Sequence, residues 1–272
     1  MRKKNVTFII SLILLVMCSL YSFTIINNSC TDAEIAACGI FNGNGVISSK
    51  SVINNGGDGS RNDADAKKVV YLTFDDGPSK CTGDILDILE ENDACASFFL
   101  IGNQINKSTL PLIKRMIKDG FQLGVHTYSH EPEDIYKSAD SYYKDVMKTW
   151  ELISRKTKKV PAVYRFPYGS NNCYVLKYRD DIISRLKKEG LDYCDWNVSG
   201  EDSIGRPSAS QIIANVRNNY DVYNEPVVLL HDSGASTETV KALPAIIKMY
   251  RDAGYSFGVI GERSRIYQWK IK

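Results

Sequence analysis

The chain of 272 residues has only three histidines, His126, His130 and His231. Two of them fall within one stretch of seven residues, GVHTYSH (124–130). None of the seven cysteines forms a CxxC pair, which removes the usual cysteine-based zinc sites. Neither sign of charge dominates: 34 Lys and Arg against 32 Asp and Glu give a net charge of +2, which argues against a nucleic-acid partner. No internal repeat is apparent. Long apolar runs are absent with one exception. Val6 to Ile26 carries no charge, follows Arg2, Lys3 and Lys4, and at 21 residues is long enough to span a bilayer of about 30 Å as a helix.

Basic residues before that run and no matching cluster after it place the N-terminus in the cytoplasm. A cleaved signal peptide would have a shorter apolar stretch and a small-x-small site beside it, whereas NNSCTDAEIAAC follows here. Cys18 follows Met17, which makes a poor lipoprotein site. The expectation is a single-pass membrane protein with an extracellular domain, secreted if the N-terminus is cleaved. Without its three basic residues the chain has 31 Lys and Arg against 32 Asp and Glu, near neutral. Six cysteines lie outside the apolar segment. Cys81, Cys95, Cys173 and Cys194 read as thiols, and Cys30 and Cys38 could close a small loop.

Three regions follow from composition. Residues 1–26 are the anchor. Residues 27–66 are rich in Asn, Gly, Ser and Asp, too poor in large apolar side chains to fold alone, and read as a flexible linker. Residues 67–272 alternate short apolar runs with amphipathic stretches about seven times. Strands are expected at VVYLTFDDG, SFFLIG, FQLGVHTY, AVYRFPYG, YCDWNVS, PVVLLHD and YSFGVI, with helices between them. The pattern predicts an α/β fold, a (β/α) barrel of about seven parallel strands. In a barrel the chemistry gathers at the C-terminal ends of the strands. The unusual polar residues obey that rule: Asp75 and Asp76 end the first strand, His126 and His130 the third and Arg165 the fourth. Asp195 falls in the fifth, and His231 and Asp232 end the sixth.

Two adjacent aspartates at a strand end can do two jobs, since neighbouring side chains point in different directions. Histidines four positions apart can present their nitrogens to one ion. Two imidazoles and one carboxylate around an ion with open positions make a catalytic site, and zinc suits it best, with cobalt or nickel as alternatives. Such an ion lowers the pKa of its bound water to about 7, and a second carboxylate and the third histidine can then act as base and acid. Metal-assisted hydrolysis of an acyl or phosphoryl bond is the reaction class.

At this point the chain resembles the polysaccharide deacetylases of the NodB-homology type, carbohydrate esterase family four, over residues 68–262. TFDDGP (73–78) is similar to the first family motif, which implies Asp75 as base and Asp76 as metal ligand. HTYSH (126–130) resembles the second, with His126 and His130 on the metal. RFPYG (165–169) resembles the third, which implies that Arg165 orients the base and that the backbone N–H of Tyr168 holds the oxyanion. DYCDW (192–196) resembles the fourth, which implies that Asp195 tunes the acid and Trp196 walls the site. LLH (229–231) resembles the fifth, with Leu229 lining the acetyl pocket and His231 as acid. Phe166 stands where many relatives carry Pro, and Cys194 inside the fourth motif has no counterpart role. The resemblance also implies a distorted barrel with a strand missing. It implies removal of N-acetyl groups from a cell-surface polysaccharide, with peptidoglycan N-acetylglucosamine expected from the membrane location. Chitin-like oligomers, N-acetylmuramic acid, exopolysaccharide and O-acetyl xylan are alternatives, as is a glycan-binding pseudoenzyme. A monomer is expected.

Overall fold

The computed structural model describes residues 68–270, and the architecture is that of the body formed by residues 68–170 and 174–270. The expected anchor and linker, with Cys18, Cys30 and Cys38, lie outside the described residues. Among the described residues no helix is long and apolar enough to cross a membrane.

The central strand is β1 (Val69–Gly77), whose residues 70–75 are all buried. A strand without apolar–polar alternation is the pattern of a parallel sheet covered on both faces. α1 (Thr82–Glu91) follows and buries Ile85, Leu86 and Leu89. Then come β2 (Ala96–Leu100), α2 (Leu110–Lys118), β3 (Gln122–Val125) and the single turn α3 (Pro132–Ile135). α4 (Ala139–Thr157) is the longest helix described. Its first turn is closed by the Ser141 N–H donating to Ser138 Oγ at 3.0 Å, and it buries Tyr142, Val146, Thr149 and Ile153 along one stripe. β4 (Val163–Tyr164), α5 (Arg179–Lys188), β5 (Asp192–Tyr193) and β6 (Val198–Ser199) come next. α6 (Ala209–Arg217) opens on a reciprocal cap between Ser208 and Gln211, and β7 (Val227–His231), α7 (Thr237–Asp252) and β8 (Ser256–Phe257) complete the body.

Every ladder is parallel, and the strand order is β5-β4-β3-β2-β1-β7-β6, with β8 beside β1. The run 193–199, expected as one strand, is two dipeptide strands at opposite ends of that order. The Cys194 N–H donates to the Tyr164 carbonyl at 2.9 Å, while the Asn197 N–H donates to the Val227 carbonyl at 3.1 Å. Four residues of chain, 194–197, thus join the two edges, which makes a barrel that closes without a continuous ladder. Asp195 therefore lies between two strands, not inside one. Its N–H donates to the Tyr267 carbonyl at 2.9 Å, so the C-terminal segment supplies the backbone acceptor that a further strand would have offered.

Candidate active site

The first functional feature is a bulge. β1 pairs Asp75 with Phe99, then skips Asp76 and pairs Gly77 with Leu100. Asp76 takes a left-handed backbone, φ 70°. A bulge with such a residue re-aims one side chain out of the pleat, so Asp75 and Asp76 serve different neighbours although they are adjacent.

Asp75 faces Arg165. The guanidinium Nη1 donates to Asp75 Oδ1 at 2.9 Å and to Thr73 Oγ1 at 2.7 Å, Nε donates to the Cys194 carbonyl at 2.9 Å, and Nη2 to the Asp195 carbonyl at 3.3 Å. Arg165 is fully buried and stacked over the Phe99 ring. A buried guanidinium with this many acceptors is a fixed group. It pins one oxygen of Asp75 and leaves the other 3.8 Å from His126 Nε2.

Asp76 faces the two histidines. Its Oδ1 is 3.5 Å from His126 Nε2 and 3.4 Å from His130 Nε2, too far for good hydrogen bonds, and this buried oxygen has no hydrogen-bond partner. One ligand atom from each of the three lies within 4.8 Å of the others. His126 Nδ1 is 2.9 Å from the Arg165 carbonyl; as the donor there, it leaves Nε2 as the lone-pair nitrogen towards Asp76. Burial pushes His126 down to about 4, against the raising pull of Asp75, so the ring is neutral, as a metal ligand must be. An orphaned carboxylate oxygen with two imidazole nitrogens around it fits a divalent cation, and these three residues would hold it.

His130 is carried on a turn that α4 holds in place. Asp145 accepts from the N–H of Tyr128 and, at 3.2 Å, from that of Ser129, and takes the Ser129 hydroxyl at 3.1 Å. Thr149 Oγ1 donates to the Thr127 carbonyl at 2.8 Å, and the His130 N–H donates to Thr127 Oγ1 at 3.2 Å. Thr127 and His130 both have positive φ, 62° and 58°. Side-chain anchors of this kind keep such a backbone in place.

His231 stands across from Asp75, paired with it between β7 and β1. Its partner is Asp202, at 2.7 Å from Nδ1, and Asp202 also accepts the His231 N–H at 2.8 Å and the Thr239 hydroxyl at 2.7 Å. Burial lowers the affinity of His231 for its proton, but the charge and hydrogen bond of Asp202 outweigh that, and the ring is raised to about 9. This corrects the expectation for Asp195. That residue is fully buried, and its oxygens are taken by the Ser170 N–H at 3.0 Å, the Ser170 hydroxyl at 2.7 Å and the Trp269 N–H at 2.9 Å. It serves the loop after β4, not the histidine. The signal for Asp202 was present in the sequence: it follows β6 at its C-terminal end, where the other polar residues of the site follow theirs.

The remaining expected residues fall around this centre. Tyr168 is half exposed, has φ 65°, and its ring centroid is 5.8 Å from that of His130. Leu229 is buried in β7 two positions before His231, hence on the same face of the strand. Trp196 is half-buried against Trp269, with ring centroids 4.5 Å apart. Asp232 is buried with the Ser79 and Thr82 hydroxyls on its oxygens, its N–H donates to the Asp75 carbonyl at 2.7 Å, and burial pushes its carboxyl up to about 7. Cys81, Cys95, Cys173 and Cys194 are all free thiols.

A peptidoglycan-N-acetylglucosamine deacetylase of Bacillus cereus is 33% identical to the chain over 210 residues, which is 75% of this chain and 74% of the relative. The chain belongs to the polysaccharide deacetylase family. A model of that family matches residues 62–193. Among solved structures, the catalytic domain of a peptidoglycan N-acetylglucosamine deacetylase from Eubacterium rectale superposes with a TM-score of 0.68 at 30% identity, covering 75% of this chain and 94% of that one. A polysaccharide deacetylase from Bacillus cereus superposes with a TM-score of 0.67 at 33% identity, covering 74% and 96%. The family match ends at Tyr193, so Asp202 and His231 come to the enzyme's site from beyond it, and their geometry is what ties them to Asp75 and Asp76.

Proposed function

We propose that the enzyme is a metal-dependent deacetylase that removes N-acetyl groups from a cell-wall glycan, with N-acetylglucosamine of peptidoglycan as substrate. One observation carries this reading. A cation-ready set, Asp76, His126 and His130, stands beside a carboxylate fixed by arginine, and a histidine kept charged by a second carboxylate lies opposite that carboxylate across β1 and β7. Zinc fits the nitrogen and oxygen donors, as would cobalt or nickel. When bound, the cation lowers the pKa of a water to about 7 and polarises the acyl oxygen.

The chain's own groups carry the proton transfers. Asp75, with Oδ1 committed to Arg165, takes the proton of the attacking water on Oδ2. The new carbon–oxygen bond places negative charge on the former carbonyl oxygen, and the Tyr168 N–H is the backbone donor for it. His231, charged at neutral pH, gives the Nε2 proton to the amine nitrogen as the carbon–nitrogen bond breaks. Acetate and a free amino sugar leave. Leu229 and Trp196 supply apolar surface suited to the acetyl methyl. A sugar polymer is supported by the aromatic residues near His130: Tyr168 is 49% and Tyr174 52% exposed, with ring centroids 6.3 Å apart. Relatives named for peptidoglycan N-acetylglucosamine, and an apolar run at Val6–Ile26 that would hold the domain at the membrane beside the wall, support the choice of glycan.

The test is acetate release by the purified protein from peptidoglycan, chitooligosaccharide and acetylated xylan, with and without added zinc or cobalt, and with Asp75→Asn as control. Metal-dependent release from peptidoglycan that the control abolishes is the expected result. Release from xylan alone, or release unaffected by Asp75→Asn, would overturn the proposal.

A further inference from the structure

The segment after β8 returns to the site. Tyr267, Gln268 and Trp269 form a strap along the gap between β5 and β6. The strap is fixed by four hydrogen bonds. The Tyr267 carbonyl accepts the Asp195 N–H at 2.9 Å, Gln268 Nε2 donates to the Tyr193 carbonyl at 3.0 Å, the Trp269 N–H donates to Asp195 Oδ2 at 2.9 Å, and its indole N–H donates to the Trp196 carbonyl at 2.7 Å.

What the strap touches is the turn that carries Tyr168. Tyr168 and Gly169 are both left-handed, φ 65° and 82°, and the Gly169 N–H closes the turn on the Phe166 carbonyl at 2.8 Å. A tyrosine in that region is strained and holds only where its surroundings determine it. On one side the Tyr136 hydroxyl donates to the Pro167 carbonyl at 2.8 Å. On the other side, Ser170 is held twice by Asp195, and Asp195 in turn holds Trp269. The Trp269 ring occupies the space that any side chain at 169 would need: a methyl group on Gly169 would strike it and come within 3.0 Å of Trp196. Position 169 must be glycine both for its backbone and for the indole.

The geometry points to Trp269, acting with Asp195, as a positioning residue for the Tyr168 backbone N–H, so that the C-terminal strap is part of the active site. This rests on the reading of Tyr168 as the oxyanion donor. A donor of this kind contributes about 10²–10³ in kcat only when it is aimed at the developing charge, and a loosened turn forfeits part of that.

The test compares Trp269→Ala, Trp269→Phe and Ser170→Ala with the wild-type protein, each loaded with zinc. The readouts are kcat and KM for acetate release, zinc affinity by calorimetry, and amide hydrogen exchange of residues 166–170 against 126–130. Trp269→Ala is expected to lower kcat by about 10–100-fold, with KM and zinc affinity within about two-fold and exchange faster at 166–170 alone. Trp269→Phe, which keeps a ring against Gly169, should recover most of the loss. Ser170→Ala removes one hydroxyl contact and leaves the strap in place, so it reports on the same turn should Trp269→Ala fail to fold. Unchanged kcat and unchanged exchange at 166–170 would overturn the inference. So would a loss of zinc affinity in parallel with kcat, which would mean a general collapse of the site. Absence of acetate release from the wild-type protein would count against the proposed function, while the exchange data would still decide whether the strap holds the turn.

Discussion

Replacing Asp202 with asparagine separates the acid's charge from its position. In the native protein His231 is raised from 6.5 to about 9, chiefly because the Asp202 carboxylate lies 2.7 Å from Nδ1 and overcomes the opposing effect of burial. That displacement corresponds to on the order of 3 kcal/mol of preference for the charged ring. Asparagine keeps a similar shape and removes the charge, and burial is then opposed only by the smaller pulls of Asp76 and Asp75, so His231 should fall back towards its ordinary 6.5. At pH 8 the ring is about nine-tenths protonated in the native protein and, with a full return to 6.5, about 3% protonated in the variant, a loss of up to roughly 30-fold in any rate limited by proton donation. At pH 5.5 the two should differ little from this cause. A cation at Asp76 repels the imidazolium, so about 9 is the upper end for the native alkaline limb. The assay is the pH dependence of kcat/KM for acetate release, with Asp195→Asn measured beside it. The alkaline limb should move down in Asp202→Asn and stay in place in Asp195→Asn. Superimposable limbs for Asp202→Asn and the native enzyme would refute the reasoning. Stability gives a second check on the metal-free protein. A histidine whose folded value is raised adds stability that is complete below about 6.5 and is lost as pH climbs through about 9, and Asp202→Asn should flatten that slope in urea titrations.

Further outcomes follow from the site. Chelation should abolish acetate release and zinc or cobalt should restore it, while Asp76→Ala should leave a folded protein that calorimetry finds unable to bind either ion tightly. Asp145→Asn, which weakens three contacts to the Tyr128–Ser129 segment, should reduce zinc affinity by about 10–100-fold with a smaller effect on KM. Arg165→Met would leave the Asp75 carboxylate buried without its partner, and a cost of about 3–5 kcal/mol should appear as a melting temperature lower by roughly 6–20 °C in calorimetry.

The alternation of apolar runs announced the parallel strands, because a strand buried on both faces cannot afford polar positions and a covering helix shows its stripe at helical spacing. β1, β2, β3 and β7 were legible for that reason. The run 193–199 was not. Its residues have strand-like composition, yet their backbone groups bond to β4 at one end and β7 at the other. Composition reports whether a segment is buried, not which partner takes its hydrogen bonds. The bulge at Asp76 was also hidden, since it depends on the register between β1 and β2.

The same limit explains which site residues could be read. Asp75 and Asp76 are adjacent and His126 and His130 four positions apart, so each pair shows in local spacing, and the rule that chemistry gathers at the C-terminal ends of strands joins one pair to the other. Asp195 and Asp202 are seven positions apart, both acidic, both near the rim, and each is committed to a partner far away in the chain: Trp269 is 74 residues beyond Asp195, and His231 is 29 beyond Asp202. The family resemblance implied the aspartate beside a tryptophan, and only the three-dimensional contacts show which carboxylate meets the histidine. The outcome makes physical sense. A carboxylate that must keep an acid charged has to face it directly, and Asp202 does so from the end of β6, the strand next to the one that ends in His231. Asp195, in the short link between β5 and β6, is too committed to the Tyr168 turn and the C-terminal strap to do the same. Two carboxylates near one centre thus do separate work, Asp195 from the link between β5 and β6 and Asp202 from the loop that follows β6.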